Sequence, residues 1–217
     1  MYFHYEGCAR FLGRRTLARS RILLLRFSTV MIFQFWGSTT EEIHSSVVGD
    51  NLCLDATLIA TRSITINAAP QDVFPWIRQM GFGRAGWYSY DWLDNLGRKS
   101  ATSVHDRWQS VESGDKIPSG PISFTAAIVD APRHFVLEIR SLGKKNPKLH
   151  FTLAYELRHD PHGTRLVTRM RSQIKLPFGR LFEKLILGPG DGIMLRRQLL
   201  TIKKNASSHN PFISGER

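Results

Sequence analysis

A chain of 217 residues, 42% of them hydrophobic, can bury one sizeable core plus an extension without help from disulfides or metal. Its two cysteines, Cys8 and Cys53, are too few and too far apart for a disulfide framework or a zinc site, which excludes the stapled classes and makes a reducing cytosol the expected setting. A formal charge of +12 would suit an anionic partner, yet the cations collect at the two ends and no nucleic-acid motif accompanies them, so nucleic acid is not the expected partner.

Residues 1–35 form a basic and apolar N-terminal extension. Arg10, Arg14, Arg15, Arg19, Arg21 and Arg26 stand there against Glu6 alone, and an apolar run from Ile22 to Trp36 is interrupted by Arg26. A spanning helix requires about 20 mostly apolar residues, so this run is short for one, and no small-x-small cleavage site follows Trp36. Three readings stay open: an anchor on an anionic membrane surface, a spanning helix, or a disordered or artefactual leader with Met31 as the true start. From Trp36 to Asp55 small and polar residues prevail, and the segment reads as a surface lead-in.

From Leu58 to Ile66 the pattern becomes that of a strand, with Ile64 and Ile66 on one face and Ser63 and Thr65 on the other. Pro70 then opens a helix. Asp72 complements the positive end of its dipole, Val73, Trp76, Ile77 and Met80 share a face, and Gly81 closes it. A second short helix is expected from Ser89, as N-cap, through Leu96 to Gly97. Between these helices, and into the second, Gly81–Gly97 packs Trp87, Tyr88, Tyr90 and Trp92 amid glycines. Such rings are large apolar bodies carrying a polar handle, which suits the wall of a chamber that must orient one polar group.

An antiparallel meander follows. Ile122, Phe124, Ala126 and Ile128 alternate, then Phe135, Leu137 and Ile139 beyond the turn at Ala131–Arg133. Leu149 to Leu157 come next, past the basic turn Gly143–Lys148. In the last strand Leu166, Thr168, Met170 and Ser172 point inward while Arg165, Arg169 and Arg171 point outward. The inward row grows smaller and more polar toward Ser172, as a strand bordering a ligand chamber would. The chain then reads as helical from Phe178 to about Asn205, broken at Gly188-Pro189-Gly190, with Leu195, Leu199 and Ile202 on its packed face. Residues 36–206 thus form one domain, and 207–217 a flexible C-terminal tail.

Strand, two short helices, meander and long terminal helix together predict an α+β helix-grip fold, a curved antiparallel sheet wrapped around its C-terminal helix. The chain resembles the SRPBCC superfamily, which holds START-type lipid-binding domains and polyketide cyclase/dehydratase-like proteins, and in particular a bacterial branch of it. The shared pieces are Trp36–Glu42, Gly49-Asp50, Ala60–Ile64, Ala69-Pro70 with Val73 and Trp76, Gln79–Gly81, Arg84–Asn95, and Gly190-Asp191 with Met194 and Arg196-Arg197. The resemblance covers about Trp36 to Lys204. It implies a deep cavity for apolar molecules between sheet and helix, and offers no catalytic residues to carry across.

Three functions follow as expectations. The first is a non-catalytic binder of a lipid-like or polyketide-like molecule, with Trp76, Met80, Trp87 and Trp108 as apolar wall and Arg84, Tyr88 and Tyr90 fixing a polar end. The second is a cyclase or dehydratase in which Asp91, His105 and Tyr88 move protons on a carbonyl substrate. The third is docking on an anionic membrane surface through the basic ends. No cofactor or metal is expected. Gly81-x-Gly83-x-x-Gly86 follows a helix rather than a strand, and His159 and His162 flank a turn without further ligands. The expected location is cytoplasmic, with membrane association through the extension.

Overall fold

The computed structural model describes residues 33–141 and 148–208. The extension up to residue 32, all but Lys148 of the predicted basic turn, and the tail beyond Ser208 lie outside the described residues.

Six antiparallel strands form one open curved sheet: β1 (Leu58–Ile66), β2 (Lys116–Ser119), β3 (Ile122–Asp130), β4 (His134–Ser141), β5 (Leu149–Asp160) and β6 (Gly163–Ile174). Their order is β1-β6-β5-β4-β3-β2, so β2 through β6 run as a meander and β1 closes against the last strand. The pairing Ile64↔Leu166 and Arg62↔Thr168 fixes which side chains share a face. On the concave face Ile64, Ile66, Leu166, Met170, Leu153, Tyr155, Phe135 and Leu137 merge into the main core with Leu195, Leu199 and Ile202 of the terminal helix. The fold is therefore the predicted helix-grip arrangement. The β2 strand, only four residues long and holding Pro118, had no readable alternation.

Helix α1 (Thr40–His44) and a 3₁₀ turn (Asp50–Cys53) occupy the predicted lead-in, and they correct it. Val47 meets Val136, Ala154 and Val167 on the convex face of the sheet, so the segment is a cover. The arginines predicted to face outward hold that cover down. Arg169 is buried, donating to Asp50 Oδ2 at 2.9 Å, to the carbonyls of Ser45, Glu42 and Ile43, and to Thr61 Oγ1. Arg165 pairs with Glu42 at 2.6 Å, and Arg171 donates to the Cys53 carbonyl. Glu42 also closes a capping box with Thr39. Burial raises the Glu42 carboxyl, but the Arg165 guanidinium and the Thr39 amide outweigh it and hold the group below its ordinary value.

Helix α2 (Pro70–Arg78) starts on Pro70 as predicted, and it tolerates Pro75 inside while burying Val73, Phe74, Trp76 and Ile77. Its C-cap is Gln79; Gly81, at φ +137°, instead pairs with Gly86 in a small bridge. A Cβ at Gly81 would meet Ile117 and Arg84 within 3.0 Å, so glycine is required there by space as well as by backbone. Helix α3 covers only Asp91–Asp94, with Tyr90 and not Ser89 at its cap.

The chain reaches the terminal helix through α4 (Gly179–Phe182) and a wider π-type turn, Glu183–Leu187, that runs straight into α5 (Gly188–Ser208). The expected break at Gly188-Pro189-Gly190 is absent, because the π turn just ahead widens the ladder before Pro189, which has no N–H to give it. Glu183 is buried in that turn and accepts from Thr57 Oγ1 at 2.5 Å and Ser172 Oγ at 2.8 Å, tying the turn to the sheet.

Candidate functional site

Two cavities lie between the concave sheet and the helical stretch, and both have Phe124 of β3 and Phe151 of β5 in their walls. The larger, about 680 Å³, is nearly all apolar and opens to solvent along Phe178 and Phe182: Ile139, Leu149 and Ile174 from the sheet face these rings and Leu187. It falls within the range of small-molecule pockets, and its residues come from strands whose period puts every second side chain inward. The smaller, about 150 Å³, carries the polar groups: Ser89, Asp94, Ser119, Asp191 and Gln198 beside Trp87 and Met194. Trp87 packs edge-on against Phe124 at 5.6 Å between centroids, and Phe124 against Phe151 at 6.0 Å, so one row of rings runs through the boundary.

The polar groups of the smaller cavity are held from behind. Tyr155, fully buried, donates to Gln198 Oε1 at 2.7 Å, and Gln198 Nε2 donates to the Trp87 carbonyl at 2.8 Å. Burial, then the charge of Asp191, push the Tyr155 phenol well above its ordinary range against the pull of Gln198, so it stays a neutral donor. Ser89 spends its hydroxyl on the Met194 carbonyl at 3.0 Å. Asp191 Oδ2 takes Nη1 of Arg62 at 2.6 Å, while Arg62 Nε holds the Phe33 carbonyl at 2.7 Å. Asp191 sits deep in the fold but keeps 16% of its side-chain surface beside the cavity it lines, and Arg62 keeps none. Burial raises the Asp191 carboxyl, with Arg62 opposing. Asp94 is pushed up to about 6, first by burial and second by Asp91, against a weaker pull from the amides of Asp94 and Tyr90. Those amides lie outside hydrogen-bond geometry, since neither Asp94 oxygen has a partner and both are sealed from solvent.

Of the residues singled out in the sequence, Trp87 lines the smaller cavity. Trp76, Met80 and Tyr88 lie in the main core, where Trp76 meets Tyr88 edge-on at 6.0 Å and the Tyr88 hydroxyl receives Gln79 Nε2 at 2.5 Å. Burial pushes that phenol upward past the range of a working acid or base. Arg84 is half-buried and donates to the carbonyls of Arg78, Gln79 and Trp108. Trp108 carries Arg107 over its ring and His105 at its edge, away from both cavities. Asp91 receives the amide and hydroxyl of Ser100 and borders a polar depression with Arg197 and Lys204, while Tyr90 caps α3. Tyr88 borders the same depression as Asp91, whereas His105 does not line it. No group of three metal-ligating side chains occurs among the described residues.

Four charged or amide side chains of the site had not been singled out. Arg62 was readable, since it shares the inward parity of Ile64 and Ile66 and a cation in that row demands a buried partner. Asp191 and Gln198 lie seven residues apart on one helix, four before and three after Leu195, so they needed the sheet to show which face they occupy. Asp94 follows Asp91 by one turn, the one local hint that it would sit under electrostatic pressure.

Sheet order and closing helix define a helix-grip protein, with a chamber between the two layers. No protein-family model matches the chain, and no curated protein matches it. Among solved structures it is similar to protein MLL2253 from Mesorhizobium loti, at 12% identity and a TM-score of 0.42, over 70% of this chain and 99% of that one. It is similar to the KanY protein at 14% and 0.44, over 69% and 97%. A third, the di-domain ARO/CYC StfQ from the steffimycin biosynthetic pathway, aligns at 12% and 0.43, over 73% of this chain and 53% of its own.

Proposed function

We propose that this protein binds a hydrophobic small molecule, lipid-like or polyketide-like, between its sheet and its terminal helix. The observation that carries the reading is the apolar cavity of about 680 Å³. A void that size lined by aliphatic and phenyl side chains is filled more favourably by an apolar guest than by water, which finds few polar partners there. Native purification followed by organic extraction and mass spectrometry tests it, together with titration by a neutral apolar fluorophore. Recovery of one compound class, or saturable fluorophore uptake, is the expected result; absence of both removes the reading.

A second reading, docking on an anionic membrane surface, is favoured by one specific feature. Phe178 is 82% exposed and Leu185 65%, and with Leu181 and Ile186 they form an apolar stripe beside the exposed cations Arg180 and Lys184. Among the described residues no helix is long and apolar enough to cross a membrane, so the stripe would lie on a bilayer rather than through it. Flotation with anionic vesicles tests this reading.

A further inference from the structure

We infer that the polar end of the bound molecule is a hydrogen-bond donor, an alcohol or a protonated amine, received by Asp191, and that carboxylate-headed molecules are refused. The inference rests on the binder reading and concerns the smaller cavity alone.

The donor and acceptor inventory of that cavity is lopsided. Most of its donors are committed, the Ser89 hydroxyl to Met194 and one Gln198 amide hydrogen to Trp87, which leaves the Ser119 hydroxyl and the second Gln198 amide hydrogen as neutral donors. Tyr155, behind the wall, is committed to Gln198. Acceptors remain. Asp191 gives only Oδ2 to Arg62, has no other hydrogen bond among the described residues, and its side chain retains surface beside the cavity, which leaves Oδ1 to receive a guest. Arg62 fixes that carboxylate from behind with three donors committed to Phe33, Asp191 and Gly188, so the acceptor is preorganised.

Charge points the same way. The lining holds two carboxylates, Asp94 and Asp191, and no basic side chain. Arg62 offsets Asp191, but Asp94 has no ion-pair or hydrogen-bond partner, and Asp91 adds a like charge from the same short helix. Arg197 and Lys204 face the neighbouring depression beyond Asp91. A guest carboxylate placed here would be a buried anion beside two others, with only the neutral donors of Ser119 and Gln198 to receive it. An ammonium or hydroxyl would find an acceptor and, for the cation, a favourable field. The remaining cavity volume of about 150 Å³ suits a head group, with the apolar body left to the larger void beyond Phe124 and Phe151.

Calorimetric titration of the full chain at pH 7.5 with dodecylamine, dodecan-1-ol and sodium dodecanoate, each below its micellar concentration, tests the inference. The amine and the alcohol are expected to bind at least about tenfold tighter than dodecanoate, the scale of a hydrogen bond to a charged group. Amine over alcohol would assign the field of Asp94 a direct part, and Asp94→Asn should then shrink that gap and weaken the refusal of dodecanoate. Asp191→Asn, which keeps an oxygen for Arg62 and turns an N–H toward the guest, should bring the dodecanoate Kd to that of the alcohol, with circular dichroism as the folding control. If that variant fails to fold, the wild-type series and Asp94→Asn decide. Equal affinity for all three probes, or preference for dodecanoate, overturns the donor-head inference while the binder reading stands. No binding of any probe overturns both.

Discussion

At the scale of single residues, the site is built from charges placed where water cannot reach them. Asp94 shows this most directly: with its carboxyl pushed up to about 6, it carries more protons folded than unfolded between the ordinary Asp range and pH 6. A group shifted in that direction destabilises the folded state once ionised, so its contribution worsens as pH rises through 6. Asp94→Asn should therefore raise stability at pH 7.5 by about 1 kcal/mol, a figure discounted for the partial solvent screening of a half-buried group. The gain should shrink to a small remainder near pH 4, where the folded carboxyl is neutral and the unfolded one is only about half ionised. Urea melts of the two proteins at pH 4, 6 and 7.5 measure it, and a constant difference across the series would contradict the assignment. Little of this was legible beforehand. A carboxylate's burial depends on what the distant strands bring over it, whereas Arg62 declared itself through its parity within β1.

Among the elements, legibility tracked period. The strands β1, β3, β4, β5 and β6 each alternate, because one face packs on the helix and the other does not, and a period of two survives in sequence. The segment 36–55 has no such period. Its hold on the sheet comes from backbone carbonyls reaching for arginines more than a hundred residues away, an interaction that no local pattern records. The outward row of β6 gave no sign of what covers it, for the same reason. Arg169→Met tests how much that cover depends on one guanidinium. Methionine preserves the apolar stem but strands three carbonyls and takes one of two arginines from Asp50, which keeps Arg171 at 3.5 Å and the Val47 amide, so a destabilisation of about 2–4 kcal/mol is expected in urea titration. A loss below 1 kcal/mol would mean that water replaces the arginine at no penalty and that the cover is not a sealed layer.

Over the whole molecule, the two cavities and the exposed stripe meet in one stretch of chain. Phe182 and Leu187 face the larger cavity, while Leu181 and Leu185, from the same turns, face outward. The π turn, Glu183–Leu187, is tied to the sheet by the hydrogen bonds of Glu183 with Thr57 and Ser172. A bilayer contact on the outer side would thus lie one helix thickness from the cavity proposed to hold an apolar guest, which joins the two proposed readings physically. Leu181→Glu with Leu185→Glu separates them. Both side chains are solvent-exposed, so stability should change by less than about 0.5 kcal/mol per site and uptake of a neutral apolar probe should persist. Flotation with phosphatidylglycerol vesicles should fall on the order of a hundredfold, given about 1.5–3 kcal/mol for burying each leucine and added repulsion from the new carboxylates. Undiminished flotation would locate the membrane contact elsewhere in the chain, with the arginines at 10–26 as the next segment to remove, and would leave the stripe without a role at the bilayer.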